Sequence, residues 1–271
     1  MLADLGTAIG DRFGRHGLAV GVIRPAYAAW LRAVYGRRGL PWRINGEPLR
    51  IDPSVRHMVP RENERPLFDY LRGHIKPGDV VFDIGAFLGT YAVLEARWTG
   101  ERGKVIAFEP SPSSFAVLTR HLRMNGLGPD RVDARQAAVG ASEARRELIT
   151  FDEEPYRNQI ATGELPAHRV MVDVLTVDGV SAGLGRPPDW IRMDVQGLEF
   201  EVLEGARAAL RDARGRLHIV AEMHPEQWPD FGVDPRAAAD RFAALGLKAR
   251  SVTPGEPPFT QSGHAILEPL S

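Results

Sequence analysis

The chain contains no cysteine. That excludes disulfides, thiolate nucleophiles and cysteine-ligated zinc, and it suits a reducing compartment. It also lacks an apolar run long enough to span a bilayer: the nearest stretch, residues 18–31, is broken by Arg24 and Pro25. The start, Met-Leu-Ala-Asp, has neither the basic head nor the cleavage site of a secretory leader, so a cytoplasmic location is expected. Charge of one sign is also missing. Lys and Arg number 34 against 35 Asp and Glu, a formal net charge of −1, which gives no global pull toward nucleic acid or an acidic membrane. The basic pairs Arg37-Arg38 and Arg145-Arg146 read as solvated faces. There is no G-x-G-x-x-G run to cradle a pyrophosphate, no Asn/Asp-Pro-Pro-Tyr run and no internal repeat.

What is present suits one large α/β domain with an extension: 271 residues, 44% apolar and 25% charged. Residues 1–40 read as helices, and Leu18, Val22, Tyr27, Trp30, Leu31 and Val34 form one stripe. That stripe is expected to pack on the domain or on a second copy in a homodimer, with membrane contact as the competing reading. Residues 41–63 read as a short β or irregular connector punctuated by prolines. The extension is therefore expected to run over 1–63 and the main domain over 64–271.

A helix over 65–75 leads to a regular alternation. Strands are expected at 80–84, 104–108, 131–139, 189–194, 217–222, 247–252 and 263–268, with further strands at 145–151 and 169–177. Helices are expected at 89–98, 112–126, 198–211 and 235–245. A polar loop at 152–168 reads as a lid or substrate wall, and 223–234 reads as a loop. Strands separated by helices imply a mostly parallel sheet covered on both faces. The last two strands have only a proline-rich link between them, so they are expected to pair antiparallel.

Two strand ends carry the strongest signal. Residues 80–91 read Val-Val-Phe-Asp-Ile-Gly-Ala-Phe-Leu-Gly-Thr-Tyr, an apolar strand ending in Asp83 and a Gly85-x-x-x-Gly89 turn. Residues 105–110 read Val-Ile-Ala-Phe-Glu-Pro, which puts Glu109 at a second strand end, 26 positions after Asp83. Glycines let backbone approach a ligand, and an acid there can take both ribose hydroxyls. Without a pyrophosphate cradle, a phosphate-free nucleoside fits better, and S-adenosylmethionine is the common one. Asp83 would then serve the amino-acid end and Glu109 the ribose.

Asp194, Glu222 and His224 end the next strands and are the candidate catalytic residues. His224 is the best general-base type, with an ordinary pKa near ~6.5. Asp194 has three open roles: accepting the proton, orienting a hydroxyl, or binding a divalent cation. Asp194, Glu222 and His224 together could ligate a metal, and their spacing does not decide it. Glu199 fits a helix-dipole role, Asp178 a turn or cap, and Trp190 and Trp228 packing, with Trp228 near enough to the active edge to face substrate.

Five motifs in order now resemble a known family. They are Phe82 to Tyr91, Phe108-Glu-Pro110, Val174-Leu-Thr-Val-Asp178, Ile191-Arg-Met-Asp-Val-Gln-Gly-Leu-Glu199 and Glu222-Met-His-Pro225. Over roughly residues 60–230 the chain is similar to the FkbM family of S-adenosylmethionine-dependent methyltransferases. The resemblance implies a Rossmann-like class I methyltransferase fold with a seven-stranded, mostly parallel sheet and an antiparallel last strand. It implies O-methylation of a hydroxyl on a small molecule, a sugar or a glycosylated or polyketide natural product. The competing functions are N-methylation of a macromolecule and a silent scaffold that keeps the cofactor fold. Contacts to the cofactor are expected from Glu64, Asp83, Gly85, Ala86, Phe87, Gly89, Thr90, Tyr91, Glu109, Pro110, Ser111, Ala138 and Asp194. Two departures matter. Phe87 stands where the family usually has Asn, which moves one cofactor contact to backbone. Gln196 stands where it usually has Glu, which removes a carboxylate beside Asp194. This weakens the metal reading more than the cofactor reading, leaves a divalent metal undecided, and assigns no residue to one.

Overall fold

The computed structural model describes residues 18–150, 159–160, 168–212, 216–259 and 263–270. The chain divides into two compact units, Met1–Arg61 and Glu62–Ser271.

In the first unit a helix, Leu18–Tyr35, precedes an antiparallel hairpin of β1 (Leu40–Ile44) and β2 (Glu47–Ile51). Asn45-Gly46 makes the hairpin turn, with φ of 49° and 91°, the left-handed pair that a two-residue connection requires. Ile44, Leu49 and Ile51 are buried. Along the helix Leu31 is buried, and Trp30 and Val34 are exposed; the side chains of Leu18 and Val22 lie outside the described residues.

The second unit is built on a seven-stranded sheet of β3 (Val80–Ile84), β4 (Lys104–Phe108), β5 (Val132–Arg135), β10 (Trp190–Met193), β11 (His218–Met223), β12 (Leu247–Ser251) and β13 (Gly263–Pro269). Its order is β12-β13-β11-β10-β3-β4-β5. β13 alone runs against its neighbours β11 and β12; the pairs from β11 through β5 are parallel. This is the seven-stranded, mostly parallel Rossmann-like sheet with an antiparallel last strand that the resemblance implied. β3 is buried along its whole length, as expected of a parallel strand covered on both faces. The chain steps outward from β3 to β4 and β5, then returns to β10 on the other side of β3. The crevice at this reversal, outside the carboxyl ends of β3 and β10, is where such sheets bind ligands.

A second sheet of four strands holds β6 (Ala138–Val139), β7 (Ala144–Thr150), β8 (Gln159–Ile160) and β9 (His168–Leu175), in the order β6-β9-β7-β8. It corrects the single strand expected over 131–139. That segment is two short strands in different sheets, because the chain leaves the main sheet after Arg135. Likewise β9 ends at Leu175 and the helix Val177–Leu184 follows, capped by the Thr176 side chain on Gly179 N. The helix expected over 198–211 is two, Glu199–Glu204 and Arg207–Asp212. They break at Gly205, where a Cβ would run into the Gly140 carbonyl. Asp178 is a cap, but of a distant helix: its two oxygens accept from Ala208 N and Ala209 N at 2.8 Å each. The helix expected at 235–245 is a 3-10 turn, Pro235–Ala237, followed by a helix, Ala238–Ala244. The 152–168 loop lies outside the described residues except at 159–160 and 168.

Candidate active site

The turn after β3 is the most constrained backbone of the site. Gly85 (φ 79°) and Gly89 (φ 74°) are left-handed, and so is Phe87 (φ 49°), which no glycine relieves. A Cβ on Gly85 would strike the Asp194 carbonyl, so this glycine lets β3 and β10 close on each other. Gly85 N and Ala86 N both donate to Phe108 O at 2.9 Å, tying the turn to the end of β4. Thr90 and Tyr91 open the helix that follows.

Glu109 stands just past β4 and is nearly fully buried. Its Oε2 accepts from Phe87 N and its Oε1 from Ser111 N, each at 2.8 Å. Burial pushes its carboxyl up to about 7, against the pull of those two N–H groups. Each oxygen keeps a second lone pair for a ligand hydroxyl. Pro110 and Ser111 lead into the helix Pro112–Met124. Phe87 meets Glu109 through its backbone N–H.

Asp83 is fully buried. Its Oδ1 accepts from Arg192 Nη1 at 2.8 Å, and its Oδ2 has no partner. The Arg192 guanidinium lies 4.4 Å from the Tyr91 ring centroid. Glu95 is fully buried on the helix Thr90–Trp98 with both oxygens unpaired. Burial and the charge of Asp83 push its carboxyl well above the ordinary carboxylate range. Arg192 and Glu95 were not singled out from the sequence. A cation inside the apolar run Trp-Ile-Arg-Met, and an acid on an otherwise apolar helix, were the available signals.

On the other side of the crevice the backbone is left-handed twice in succession, at Gln196 (φ 52°) and Gly197 (φ 99°). This turn presents Asp194 and Gln196 toward β11. Gln196 Nε2 donates to Asp194 Oδ1 at 3.0 Å and lies 3.0 Å from His224 Nε2. His224 Nε2 is 3.7 Å from both Asp194 Oδ1 and Glu222 Oε1. Its Nδ1 is 2.8 Å from Glu199 Oε1. Burial opposes a charge on His224, but Glu199, Asp194 and Glu222 outweigh it and push the imidazole up to about 9. Burial and the charge of Asp194 push Glu222 up to about 8.

Sheet register adds a residue that sequence reading missed. His264 on β13 pairs with Glu222 on β11. Its Nε2 is buried without a hydrogen-bond partner, 3.6 Å from Glu64 Oε1 and 3.7 Å from Glu222 Oε2. Burial lowers its pKa. Glu64 reaches this point from a left-handed residue (φ 40°) at the start of the helix Arg65–His74. Nothing local to residue 264 signals this; it follows from the strand order.

Two groups bring three metal-capable atoms within 4.8 Å of one another: Asp194, Glu222 and His224, and Glu64, Glu222 and His264. In the first, the Gln196 amide already bridges Asp194 and His224. Ala138 is buried on β6 against Leu148, Val172, Val174 and Leu198. Trp228 is fully buried and faces Phe200 and Glu199, so it does not face substrate. Trp190 is also a packing residue, with its indole N–H donating to Asp79 at 3.0 Å.

A strand-end crevice with a glycine turn, a ribose-type acid and a carboxylate cluster is a methyltransferase arrangement, and comparison with known proteins agrees. The Methyltransferase FkbM domain matches residues 83–246. The chain belongs to the FkbM methyltransferase family, and the resemblance set out above implies S-adenosylmethionine as cofactor. The hexuronic acid methyltransferase AglP of Haloferax volcanii is 27% identical over 180 residues, covering 64% of this chain and 65% of that protein. The chain thus matches just under two thirds of that relative's length. Among solved structures, the FkbM methyltransferase of Methylobacillus flagellatus KT is 16% identical with a TM-score of 0.46, covering 70% of this chain and 43% of that one. An S-adenosylmethionine-dependent methyltransferase of Aquifex aeolicus is 14% identical with a TM-score of 0.41, covering 81% and 94%.

The residues present fit that cofactor. It carries two positive charges, a sulfonium and an ammonium. The crevice offers the mutually repelling carboxylates Glu64, Asp194 and Glu222, and such a cluster is relieved by a cationic ligand. The missing Cβ at Gly85 and the spare lone pairs of Glu109 suit the nucleoside half.

Proposed function

We propose that the chain is an O-methyltransferase acting on a hydroxyl of a small molecule, a sugar or a glycosylated or polyketide natural product. The observation that carries this reading is the placement of His224 Nε2 between Asp194 and Glu222, at the carboxyl edge beside the nucleoside half. When bound, S-adenosylmethionine supplies an electrophilic methyl group on a good leaving group. The protein is left to bind, to align and to take one proton. Glu109 and the 85–89 turn hold the nucleoside, and Glu64 and Asp83 serve the methionine end. Asp194 orients the acceptor hydroxyl. His224 Nε2 would take the hydroxyl's proton as the methyl group is transferred to its oxygen. The sugar class draws support from the relative that methylates hexuronic acid.

The test is incubation of the protein with S-adenosylmethionine and a panel of glycosides. A mass gain of one methyl group on a hydroxyl is the expected result; methylation confined to amines or macromolecules would reject the reading. We also propose turnover without a divalent cation, since the Gln196 amide holds together the atoms that one would bridge. A chelator should leave kcat within a few-fold. Loss restored by magnesium or calcium would instead seat a cation on Glu64, Glu222 and His264.

A further inference from the structure

We infer that Glu199 is a positioning residue, which holds the imidazole of His224 with its proton on Nδ1 and its lone pair on Nε2 directed at the acceptor. The inference rests on His224 being the base. Glu199 opens the helix Glu199–Glu204, and an acid in a first turn would ordinarily lie exposed and favour the helix dipole. This one is fully buried. Its Oε1 accepts from Gly197 N at 3.1 Å and faces His224 Nδ1 at 2.8 Å, and its Oε2 accepts from Trp228 Nε1 at 2.7 Å. Only the Gly197 bond is local. The other two donors come from the segment after β11, whose residues the carboxylate pins to the start of this helix.

A buried carboxylate is costly unless every lone pair region it uses finds a donor. Here three N–H groups meet it, and one of them must be on His224 Nδ1 for the count to close. That requirement fixes the tautomer. The opposite ring nitrogen is then an acceptor, met by the Gln196 amide N–H at 3.0 Å and facing Asp194 and Glu222. The acceptor hydroxyl takes the place of that amide before its proton moves. Taking that proton makes an imidazolium, and the Glu199 carboxylate stabilises it from behind. The groups facing the ring are Glu199 and Gln196 from the turn and helix after β10, Asp194 from the end of β10, and Glu222 from β11. His264 on β13 meets the far side of Glu222.

The test is Glu199→Gln in the full chain. With the amide oxygen toward Trp228, the NH₂ meets the Gly197 N–H and drives the His224 proton to Nε2. With the oxygen toward Gly197 and Nδ1, the NH₂ meets the Trp228 N–H. In both orientations the negative charge behind the imidazolium is lost. We expect kcat to fall on the order of 10²- to 10⁴-fold, with KM for donor and acceptor within a few-fold. Trp228→Phe removes a bond to the same carboxylate without reversing the tautomer, so its loss in kcat should stay under about tenfold. A loss as large as that of Glu199→Gln would make Glu199 a packing element and overturn the inference. Nitrogen-15 NMR of wild-type protein without cofactor, above the pH at which His224 titrates, should show the proton on Nδ1. A proton on Nε2 would overturn it even if the Gln variant failed to fold. His224→Ala separates the two readings. Wild-type kcat there removes the base, and Glu199's role with it. An inactive His224→Ala beside a fully active Glu199→Gln removes only Glu199.

Discussion

The two sides of the crevice make different demands on single residues. Glu109 accepts from two loops at once, so it both shapes the nucleoside pocket and offers lone pairs to a ribose. Glu109→Ala should weaken S-adenosylmethionine binding by about 1.5–3 kcal/mol, the scale of a charge-assisted hydrogen bond. Calorimetry reads this directly, and binding of NAD with no binding of S-adenosylmethionine would reject the pocket. His224→Ala and Asp194→Asn should each lower kcat by about 10²–10⁴ while cofactor affinity stays within a few-fold. Equal loss of cofactor affinity would move both residues into the nucleoside pocket. The pH profile follows from the sign of the His224 shift. The base works when neutral, and His224 sits at about 9 in the free site, so kcat/KM should climb with pH toward that value. The limb in kcat should break at lower pH, because the positive charge of the bound methyl donor opposes protonation. His224→Gln should erase both limbs.

At the scale of elements, the site depends on how closely β3 and β10 approach. Gly85 is left-handed and also abuts the Asp194 carbonyl, so a side chain there is penalised twice. Gly85→Ala should cost at least about 2 kcal/mol of stability and displace Asp194. Chemical denaturation checks the first effect. If the variant kept both its midpoint and its kcat, the close approach would have no role. Local pattern made the strands of the main sheet legible, along with the antiparallel pairing of the last two. It failed where a short element is ended by a neighbour it meets in space. Residues 131–139 are apolar enough for one strand, but β6 pairs with β9 and so leaves the main sheet. The segment 198–211 has helical spacing throughout, but Gly205 packs on the Gly140 carbonyl and breaks it.

The whole molecule carries an excess of buried acid, with consequences for stability. Glu109 is raised to about 7, Glu222 to about 8, and Asp83 and Glu95 are raised as well. Between about pH 4.5 and 8 these acids bind more protons in the folded chain than in the unfolded, so their contribution to stability falls as pH rises; His218 and His264, lowered by burial, oppose this below about 6.5. His224 acts in the same direction. Its folded value of about 9 lies above the unfolded 6.5, so its contribution is complete below 6.5 and lost as pH rises through 9. The cofactor-free protein should therefore melt at a lower temperature at pH 9 than at pH 6, and S-adenosylmethionine should narrow the gap. A midpoint flat or rising across that range would contradict the buried-acid account. Among the described residues, no helix is long and apolar enough to cross a membrane.

The sequence by itself determined the fold class, the family and the four acidic or polar strand ends, because a strand, its glycine turn and its terminal acid are contiguous and their pattern is local. It also carried the Gln196 departure that bears on metal binding. Tertiary structure alone decided which of these groups answer one another. Arg192 neutralises Asp83 from 109 residues away, Glu199 meets His224 across 25, and His264 reaches Glu64 and Glu222 only because β13 inserts beside β11. Strand order brings those partners together, and strand order is set by the packing of the whole sheet. The same burial that joins them sets their charges, so the part His264 plays had no local trace in the chain, and Glu199 read locally as no more than a helix-dipole acid.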